Sequence, residues 1–253
     1  MNGVDSEDLL SRFDTDGFVC LPEFLSADEV GETCQNLDRF IAEEVPKLPA
    51  QHAFFEDKSR PETLKQLQNL HTYDPFFGRM TVGSRFEELA SKLMRDRALA
   101  QNLQYFNKPA GVGKPTPAHQ DGFYFMLNPC VAVTMWLALE QVDGENGCVR
   151  YVPGSHQLGM RPHCRTNTLG FSQGIADYGD ADRSAEVMMP AAPGDLLVHD
   201  ALTIHRAEGN NSSNRSRRAM GLVYFAQSAK IDEVRRAEYQ EQLTREMKAK
   251  GKI

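Results

Sequence analysis

Two residues separated by one position, and a third far downstream, have side chains that bind metals. His119 and Asp121 lie in the segment AHQDGFYF. Side chains at positions i and i+2 of a β-strand point to the same face, so a strand here would direct the imidazole and the carboxylate to one side. His205, in VHDALTIHRA, is the best candidate for a second imidazole. Two histidines and one carboxylate form the facial triad of non-haem iron(II) enzymes, which leaves coordination positions open.

Alone, a His-x-Asp tripeptide is a weak signal, because such tripeptides arise by chance and a single strand histidine is usually structural. Arginines downstream strengthen it, since Arg215 and Arg217 share one face of a predicted strand and Arg218 points to the other. A 2-oxoglutarate cosubstrate would bind iron at one end, and its distal carboxylate would need a cation. Arginine offers that carboxylate two parallel hydrogen bonds, which lysine cannot do.

The elements that must carry these residues are mainly short strands. From about residue 101, runs rich in β-branched and aromatic residues alternate with Gly and Pro, which is typical of a sandwich or barrel. These runs are QYFNKP, HQDGFYFML, VAVTMWLAL, CVRYVPGSH, DLLVHDALTIHRA and RRAMGLVYFAQ.

The first hundred residues are predicted to be mainly helical. A strand over 18–21 precedes a capping box formed by Ser26 and Glu29, after which apolar residues recur at helical spacing as far as Ile41. A second helix is predicted from Glu87 to Leu103, with Leu99 in the core. The order of residues 52–79 is left open, and the charged C-terminal segment is predicted to be a solvated helix.

Composition limits the class of protein. The chain has 253 residues, of which 41% are apolar and 25% charged, and its net charge is −7. These values predict one globular domain and argue against nucleic acid as a partner. We find no signal peptide and no apolar run long enough to cross a membrane. Five cysteines without a CxxC pair favour reduced thiols in the cytoplasm.

Several segments in order resemble the phytanoyl-CoA dioxygenase family over nearly the whole chain. They are DGFVCLPEFLSADEV, FNKPAGVGKPTPAHQDGFYF, VTMWLALEQVDGENGCVRYVPGSH, PGDLLVHDALTIHRA and NRSRRAMGLVYF. The resemblance implies a mostly β fold with flanking helices, namely a double-stranded β-helix of the jelly-roll, cupin-like kind. It also implies a single domain over 1–253, with a helical part (1–100), a barrel core (101–230) and a terminal helix (231–253).

The resemblance also assigns site residues. It implies that His119, Asp121 and His205 are the catalytic iron(II) ligands, and that O2 and 2-oxoglutarate are cosubstrates. Arg217 matches the first arginine of the family's R-[RK]-A stretch and would bind 2-oxoglutarate, while Gln104 and Trp136 would line its pocket. Family members that halogenate lack the carboxylate ligand, so the presence of an aspartate favours hydroxylation.

Two departures from the family pattern matter. The loop EGNNSSN is one residue longer than usual, so Arg215 in a shifted register is an alternative to Arg217. The family often has a serine two residues after the second histidine, and this chain has Ala207. One hydroxyl donor for the distal carboxylate is therefore missing. These departures favour the alternative of a cupin-like module that binds a metal or ligand without turnover.

The substrate is inferred from residues near the predicted mouth of the site. Arg161, His163 and Arg165 alternate along GMRPHCRTN, and Tyr124 follows the predicted aspartate ligand by three residues. These groups would suit a small anionic or zwitterionic metabolite, such as an aminophosphonate, an amino acid or an osmolyte. The alternative for the segment with Arg161, His163 and Arg165 is a solvated loop. The alternative for the function is an acyl-CoA 2-hydroxylase of the same family. His199 is predicted to be structural and to orient the site.

Overall fold

The structure is a computed structural model that describes residues 6–168 and 170–249. The ends of the predicted helical part and terminal helix, 1–5 and 250–253, lie outside the described residues. The helices are α1 (Ser6–Asp16), α2 (Ala27–Glu43), α3 (Leu70–Tyr73), α4 (Pro75–Thr81), α5 (Arg85–Met94), α6 (Gly122–Phe125), α7 (Asp180–Ala185) and α8 (Glu233–Ala249).

Fifteen strands are assigned within the described ranges. They are β1 (Phe18–Leu21), β2 (Ala53–Phe55), β3 (Leu64–Leu67), β4 (Ala98–Lys108), β5 (Thr116–His119), β6 (Leu127–Asn128), β7 (Ala132–Ala138), β8 (Val149–Tyr151), β9 (His163–Thr168), β10 (Phe171–Ile175), β11 (Val187–Met189), β12 (Leu196–Asp200), β13 (His205–Ala207), β14 (Arg217–Ala226) and β15 (Lys230–Ile231).

Two antiparallel sheets form the barrel that the sequence predicts. The major sheet has the strand order β1-β12-β7-β14-β4-β3-β2, and the minor sheet has the order β11-β8-β13-β5. The β9–β10 hairpin contacts β5 beside the minor sheet. Strands β1, β2 and β3 come from the first hundred residues, so that part is less helical than predicted and contributes to the barrel wall.

The major sheet separates two apolar regions. Alternate residues of the fully buried strand β7 face opposite sides, so that Met135 and Leu137 join a core with the helices while Trp136 and Ala138 face the barrel interior. From the helices, Leu37 and Phe77 are among the residues that complete the outer core. This covering of helices shields the sheet from water on one side, so the other side can enclose a site.

The helix predicted from Glu87 to Leu103 is wrong in its second half. Helix α5 ends where Arg95 adopts a left-handed conformation, and β4 begins at Ala98. Leu99, predicted to be in the core, is 38% exposed. Residues from Ala98 onward form a strand because β4 pairs along its length with β14. This tertiary pairing overrides the weak helical preference of the local sequence.

Other N-terminal predictions are confirmed. Strand β1 lies at the predicted position, and Ser26 and Glu29 form the predicted capping box at the start of α2.

The five cysteines, all within the described ranges, are free thiols. Among the residues that the structure describes, no helix is both long and apolar enough to cross a membrane.

The apolar core between the helices and the major sheet allows a prediction about stability. Leu37 of α2 is fully buried, whereas Leu158, in the loop after β8, is 82% exposed. We expect Leu37→Ala to lower the free energy of unfolding by about 2–5 kcal/mol, because it leaves a cavity in the core. The same substitution at Leu158 should change it by less than about 0.5 kcal/mol. Urea unfolding of both variants measures the difference, and equal effects would contradict the described packing of α2.

Candidate active site

Strand pairing brings the two predicted histidine ligands together. His119 ends β5 and His205 begins β13, and the antiparallel register places these two residues opposite each other. One ligand atom from each of His119, Asp121 and His205 lies within 4.8 Å of the others. The sequence separates His205 widely from the tripeptide, but the sheet makes it a direct neighbour.

Asp121 reaches this group in a different way from the predicted strand alternation. β5 ends at His119, and Asp121 has helical backbone angles (φ −59°, ψ −34°) at the start of α6. The buried side chain of Gln120 holds this turn by donating to the carbonyls of Gly159 (2.9 Å) and Leu202 (2.7 Å). The convergence of His119 and Asp121 therefore depends on a turn, and Gln120 is a positioning residue that the sequence analysis missed.

Backbone carbonyls fix which nitrogen of each imidazole can bind a metal. His119 Nδ1 lies 2.8 Å from Pro117 O, and His205 Nδ1 lies 3.0 Å from Thr203 O. A carbonyl only accepts hydrogen bonds, so each Nδ1 carries the proton and each Nε2 presents a lone pair. Burial also lowers the pKa of His205 well below its ordinary value, which keeps the imidazole in the neutral form that binds metals.

The carboxylate of Asp121 has two different environments. Oδ1 lies 3.3 Å from His119 Nε2 and 3.8 Å from His205 Nε2. Oδ2 accepts hydrogen bonds from Thr134 Oγ1 (2.6 Å) and from His199 Nε2 (3.2 Å). Burial acts to raise the pKa of Asp121, but the pKa is held well below its ordinary value, and the hydrogen bond that His199 donates to Oδ2 acts in that direction. His199 orients the carboxylate, as the sequence analysis predicts for a structural residue.

These residues line one large cavity between the two sheets, with a volume of about 600 Å3. Arg217 lies inside it, only 5% exposed, with its guanidinium 5.2 Å above the ring of Trp136. Arg217 Nε has no hydrogen-bond partner among the described residues. Burial lowers the pKa of Arg217 to about 10, so the group remains a cation at neutral pH. A buried cation with an unused donor is suited to receive an anion.

Arg215, the alternative to Arg217, lies outside the cavity. It forms ion pairs with Asp143 (2.8 Å) and with Glu145 near the turn between β7 and β8. The longer loop before β14 therefore does not shift Arg215 into the interior. Gln104 and Trp136 both line the cavity, and Gln104 Oε1 accepts a hydrogen bond of 2.9 Å from Gln66.

Two polar residues opposite Ala207 and Arg217 escaped the sequence analysis. Thr116 pairs with Ala207 across β5 and β13, and Lys108 pairs with Arg217 across β4 and β14. Lys108 Nζ donates to Thr116 Oγ1 (3.4 Å), and both residues line the cavity. Burial and the charge of Arg217 lower the pKa of Lys108 well below its ordinary value. Thr116 and Lys108 therefore bring a hydroxyl and an amine to the cavity lining that also contains Ala207.

The predicted substrate group of Arg161, His163 and Arg165 does not form one surface. Arg161 pairs with Asp177 (2.8 Å) and Asp182 (2.7 Å) and is not among the residues that line the cavity. His163 is also outside that lining, and its two nitrogens contact Arg161 O (2.8 Å) and the N–H of Gln120 (3.2 Å). The prediction for Arg161 and His163 is therefore corrected, because acidic residues occupy the polar atoms of Arg161 and backbone groups occupy those of His163.

Arg165 and Tyr124 do line the cavity. Tyr124 donates its hydroxyl hydrogen to Gln173 O (2.8 Å). The guanidinium of Arg165 lies 5.7 Å from the ring centre of Tyr239, a residue of α8. Tyr239 in turn is hydrogen-bonded to Ser172 through the two hydroxyls (2.7 Å). The C-terminal helix thus contacts the site through Tyr239, while the other residues of α8 whose burial is described are exposed, as expected for a solvated helix.

One face of α8 forms part of the cavity wall. Its lining residues recur at the i, i+3, i+4 and i+8 spacing of a helical face, and they are Arg236, Tyr239, Gln240 and Thr244. A search for apolar periodicity misses this face because its residues are polar or aromatic.

The lining of the cavity has a strong bias toward positive charge. Among the described lining residues Asp121 is the single carboxylate. The lining residues with basic side chains are Lys65, Lys108, Arg165, Arg206, Arg217 and Arg236. Lys65 is paired with Glu56, and Arg206 with Glu186 and Glu208. Basic side chains therefore outnumber carboxylates among the described lining residues although the whole chain carries a charge of −7, which favours anionic ligands.

Comparisons with known proteins agree with this architecture. The "Phytanoyl-CoA dioxygenase domain-containing protein 1" of Bos taurus is 29% identical over 83% of this chain and 86% of its own length. The "Phytanoyl-CoA dioxygenase" of Arabidopsis thaliana is 27% identical over 88% and 89%, respectively.

Solved structures of other proteins have a similar fold over most of this chain. The epimerase SnoN "in complex with Fe3+, alpha ketoglutarate and nogalamycin RO" has a TM-score of 0.72 and 25% identity, covering 89% of this chain and 85% of SnoN. EvdO2 from Micromonospora carbonacea var. aurantiaca "complexed with 2-oxoglutarate" has a TM-score of 0.69 and 25% identity, covering 91% and 94%. EctD from S. alaskensis, at 20% identity and a TM-score of 0.74 over 92% and 80%, shares the fold.

A family model described as "Phytanoyl-CoA dioxygenase (PhyH)" matches residues 13–219, a range that contains β5, β13 and the start of β14. Because that match covers most of the chain, the chain belongs to the phytanoyl-CoA dioxygenase family of iron- and 2-oxoglutarate-dependent dioxygenases.

Proposed function

We propose that this dioxygenase hydroxylates a C–H bond of a small anionic or zwitterionic metabolite and releases succinate and CO2. The observation that carries the proposal is a single cavity that contains a three-residue metal-binding set, a buried arginine and a cationic lining. These parts match, respectively, the needs of iron(II), of 2-oxoglutarate and of an anionic substrate.

The donor set fits iron(II). His119 and His205 each present a neutral Nε2, and Asp121 presents Oδ1 toward both. Two imidazoles and one carboxylate leave coordination positions for a cosubstrate and O2, which a closed four-ligand zinc site would not. When bound, iron(II) with 2-oxoglutarate supplies the oxidising chemistry that activates O2 and breaks the C–H bond. The protein's own contribution is to hold these groups in a cavity that excludes water.

Arg217 is the proposed partner of the distal carboxylate of 2-oxoglutarate. Its guanidinium is desolvated over Trp136 and has an unpartnered Nε, so a carboxylate would restore hydrogen bonds that burial has removed. Lys108 and Thr116 lie across the paired strands and offer further donors in place of the hydroxyl absent at Ala207.

The substrate class rests on the outer part of the cavity. Arg165 and Arg236 line it, and Tyr124 and Tyr239 supply aromatic walls. An anionic group would be attracted to the arginines, while the rest of a small molecule packs on the rings.

A substrate screen tests the proposal directly. Iron-loaded protein and 2-oxoglutarate are incubated with amino acids, aminophosphonates, quaternary ammonium compounds and acyl-CoAs, and succinate and product mass are measured. We expect succinate release to match substrate loss and the product to gain one oxygen atom. Release of succinate together with an isomerised product would show that the reaction is not a hydroxylation. Absence of any substrate-stimulated turnover would support the alternative of a cupin-like module that binds a metal or ligand without turnover.

The first prediction for the site concerns the proposed metal ligands. His119→Ala, Asp121→Ala and His205→Ala should each abolish iron-dependent succinate release, because each removes a ligand atom. Their thermal unfolding should stay cooperative. His156→Ala is the matched control, since this histidine is hydrogen-bonded to Asp14 O in a loop outside the cavity. Near-normal turnover of the His205 variant would refute the ligand set.

The second prediction concerns the cosubstrate. Arg217→Ala should raise the 2-oxoglutarate KM roughly tenfold to a hundredfold, which corresponds to the loss of a charged hydrogen-bond partner worth about 1.5–3 kcal/mol. Arg215→Ala should leave this KM unchanged, because Arg215 pairs with Asp143 and Glu145 outside the cavity. Steady-state succinate assays measure both, and the reverse ranking would overturn the proposed role of Arg217.

The third prediction concerns the primary substrate. Arg165→Ala should raise its KM, because Arg165 lines the cavity. Arg165 is exposed in the free protein, so the loss reaches a few kcal/mol only if the bound substrate removes this ion pair from water. Arg161→Ala should cost under about 1 kcal/mol, since its partners are Asp177 and Asp182. Substrate-independent decarboxylation of 2-oxoglutarate should remain normal in both variants. A neutral best substrate, turned over normally by the Arg165 variant, would eliminate an anionic substrate.

A further inference from the structure

We infer that Thr134, His199 and Tyr151 are positioning residues that hold one oxygen of Asp121 away from the metal and thereby direct the other toward it. The inference rests on the proposed metal site, and it assigns to three buried residues a role that the ligand set alone does not include.

The first observation is that both hydrogen bonds to the carboxylate converge on a single oxygen. Thr134 Oγ1 lies 2.6 Å and His199 Nε2 lies 3.2 Å from Asp121 Oδ2. Oδ1 instead faces Nε2 of His119 and of His205, and both of these nitrogens carry lone pairs because their protons are on Nδ1. Three converging lone pairs repel one another unless a cation lies among them. The carboxylate thus has one oxygen for protein donors and one for a cation.

The second observation fixes the tautomer of His199. A carboxylate only accepts hydrogen bonds, so His199 Nε2 must carry the proton that Asp121 receives. Nδ1 of the neutral ring is then an acceptor, and it lies 2.9 Å from the hydroxyl of Tyr151, which is the donor. Burial raises the pKa of Tyr151 well above its ordinary value, so the hydroxyl keeps its hydrogen. The chain of donation runs from Tyr151 to His199 to Asp121.

The third observation is that strand pairing holds this chain in place. Tyr151 of β8 is opposite His205 of β13, and His199 of β12 is opposite Thr134 of β7 and Phe18 of β1. Phe18 also stacks on Tyr151, with ring centres 4.5 Å apart. The positions of the donors are thus set by the register of the same sheets that carry the ligands.

The consequence concerns the number of open coordination positions. A carboxylate whose second oxygen is free can chelate a metal through both oxygens, and the second bond occupies a position that 2-oxoglutarate or O2 requires. Two donors on Oδ2 compete with that second bond. Thr134, His199 and Tyr151 therefore affect how tightly the metal is held and how well 2-oxoglutarate can join it.

The test uses purified metal-free full-length protein and measures binding without turnover. Thr134→Val removes one donor at nearly constant shape, His199→Leu removes the other, and Tyr151→Phe removes the donor to His199. Matched controls are Thr134→Ser, which keeps the hydroxyl, and His199→Gln, which keeps an N–H donor. Iron(II) or Mn(II) affinity is measured by calorimetry. Anaerobic 2-oxoglutarate binding to the iron protein is followed by its visible charge-transfer absorption, and thermal unfolding reports the fold.

We expect Thr134→Val and His199→Leu to weaken metal binding about 10- to 100-fold, the range for outer partners of metal ligands. Both should also weaken 2-oxoglutarate binding at saturating metal. Tyr151→Phe should give a smaller loss, and the Ser and Gln variants should recover most of the affinity. If His199→Leu does not fold, Thr134→Val and Tyr151→Phe still decide the question.

Metal and 2-oxoglutarate affinities like those of the unsubstituted protein in Thr134→Val and Tyr151→Phe would overturn the inference, whether or not the unfolding temperature falls. Loss of affinity that the Ser variant does not recover would also overturn it, because the hydroxyl would not be the cause. Failure of the proposed function has a different signature. In that case the unsubstituted protein binds no iron, or His119→Ala and His205→Ala bind it equally well.

Discussion

The antiparallel pairing of β5 with β13 places His119 opposite His205, and the proposed ligand set depends on that register. A slip of one residue would turn one imidazole to the other face of the minor sheet. The neighbouring pairing of β13 with β8 brings Tyr151 to the same level, where its ring stacks on Phe18 from the edge of the major sheet. The two sheets are therefore joined near the site by aromatic packing as well as by the shared barrel.

Burial of charge imposes the second constraint on the cavity. Arg217 is nearly inaccessible to water, and burying an unpaired cation costs several kcal/mol as an order of magnitude. Its position over the face of Trp136 offsets part of that cost through the quadrupole of the ring. In the proposed role of Arg217, the carboxylate of 2-oxoglutarate would recover the remaining cost, so that stability of the free protein is exchanged for affinity toward an anion. Arg215, which is ion-paired on the surface, carries no such cost.

The sequence predicts those parts of the site that follow local periodicity. The β-rich barrel and strand β1 are confirmed, and the structure brings the widely separated His119 and His205 together at the predicted site. The sequence does not predict features of the structure that depend on contacts with residues distant along the chain. The turn that delivers Asp121 needs the carbonyls that accept hydrogen bonds from Gln120. The orientation of Arg161 depends on Asp177 and on Asp182 of α7. The end of α5 likewise follows from the pairing of β4 with β14, which no local propensity encodes.

Trp136 is the single tryptophan of the chain, and it lies directly beneath the guanidinium of Arg217 inside the cavity. The excited state of indole responds to nearby charge, and a carboxylate that pairs with Arg217 changes the field across this ring. The protein thus contains its own optical reporter at the proposed cosubstrate position. Its fluorescence originates from one defined location, so a titration can follow occupancy of that half of the cavity without a label, a metal or turnover.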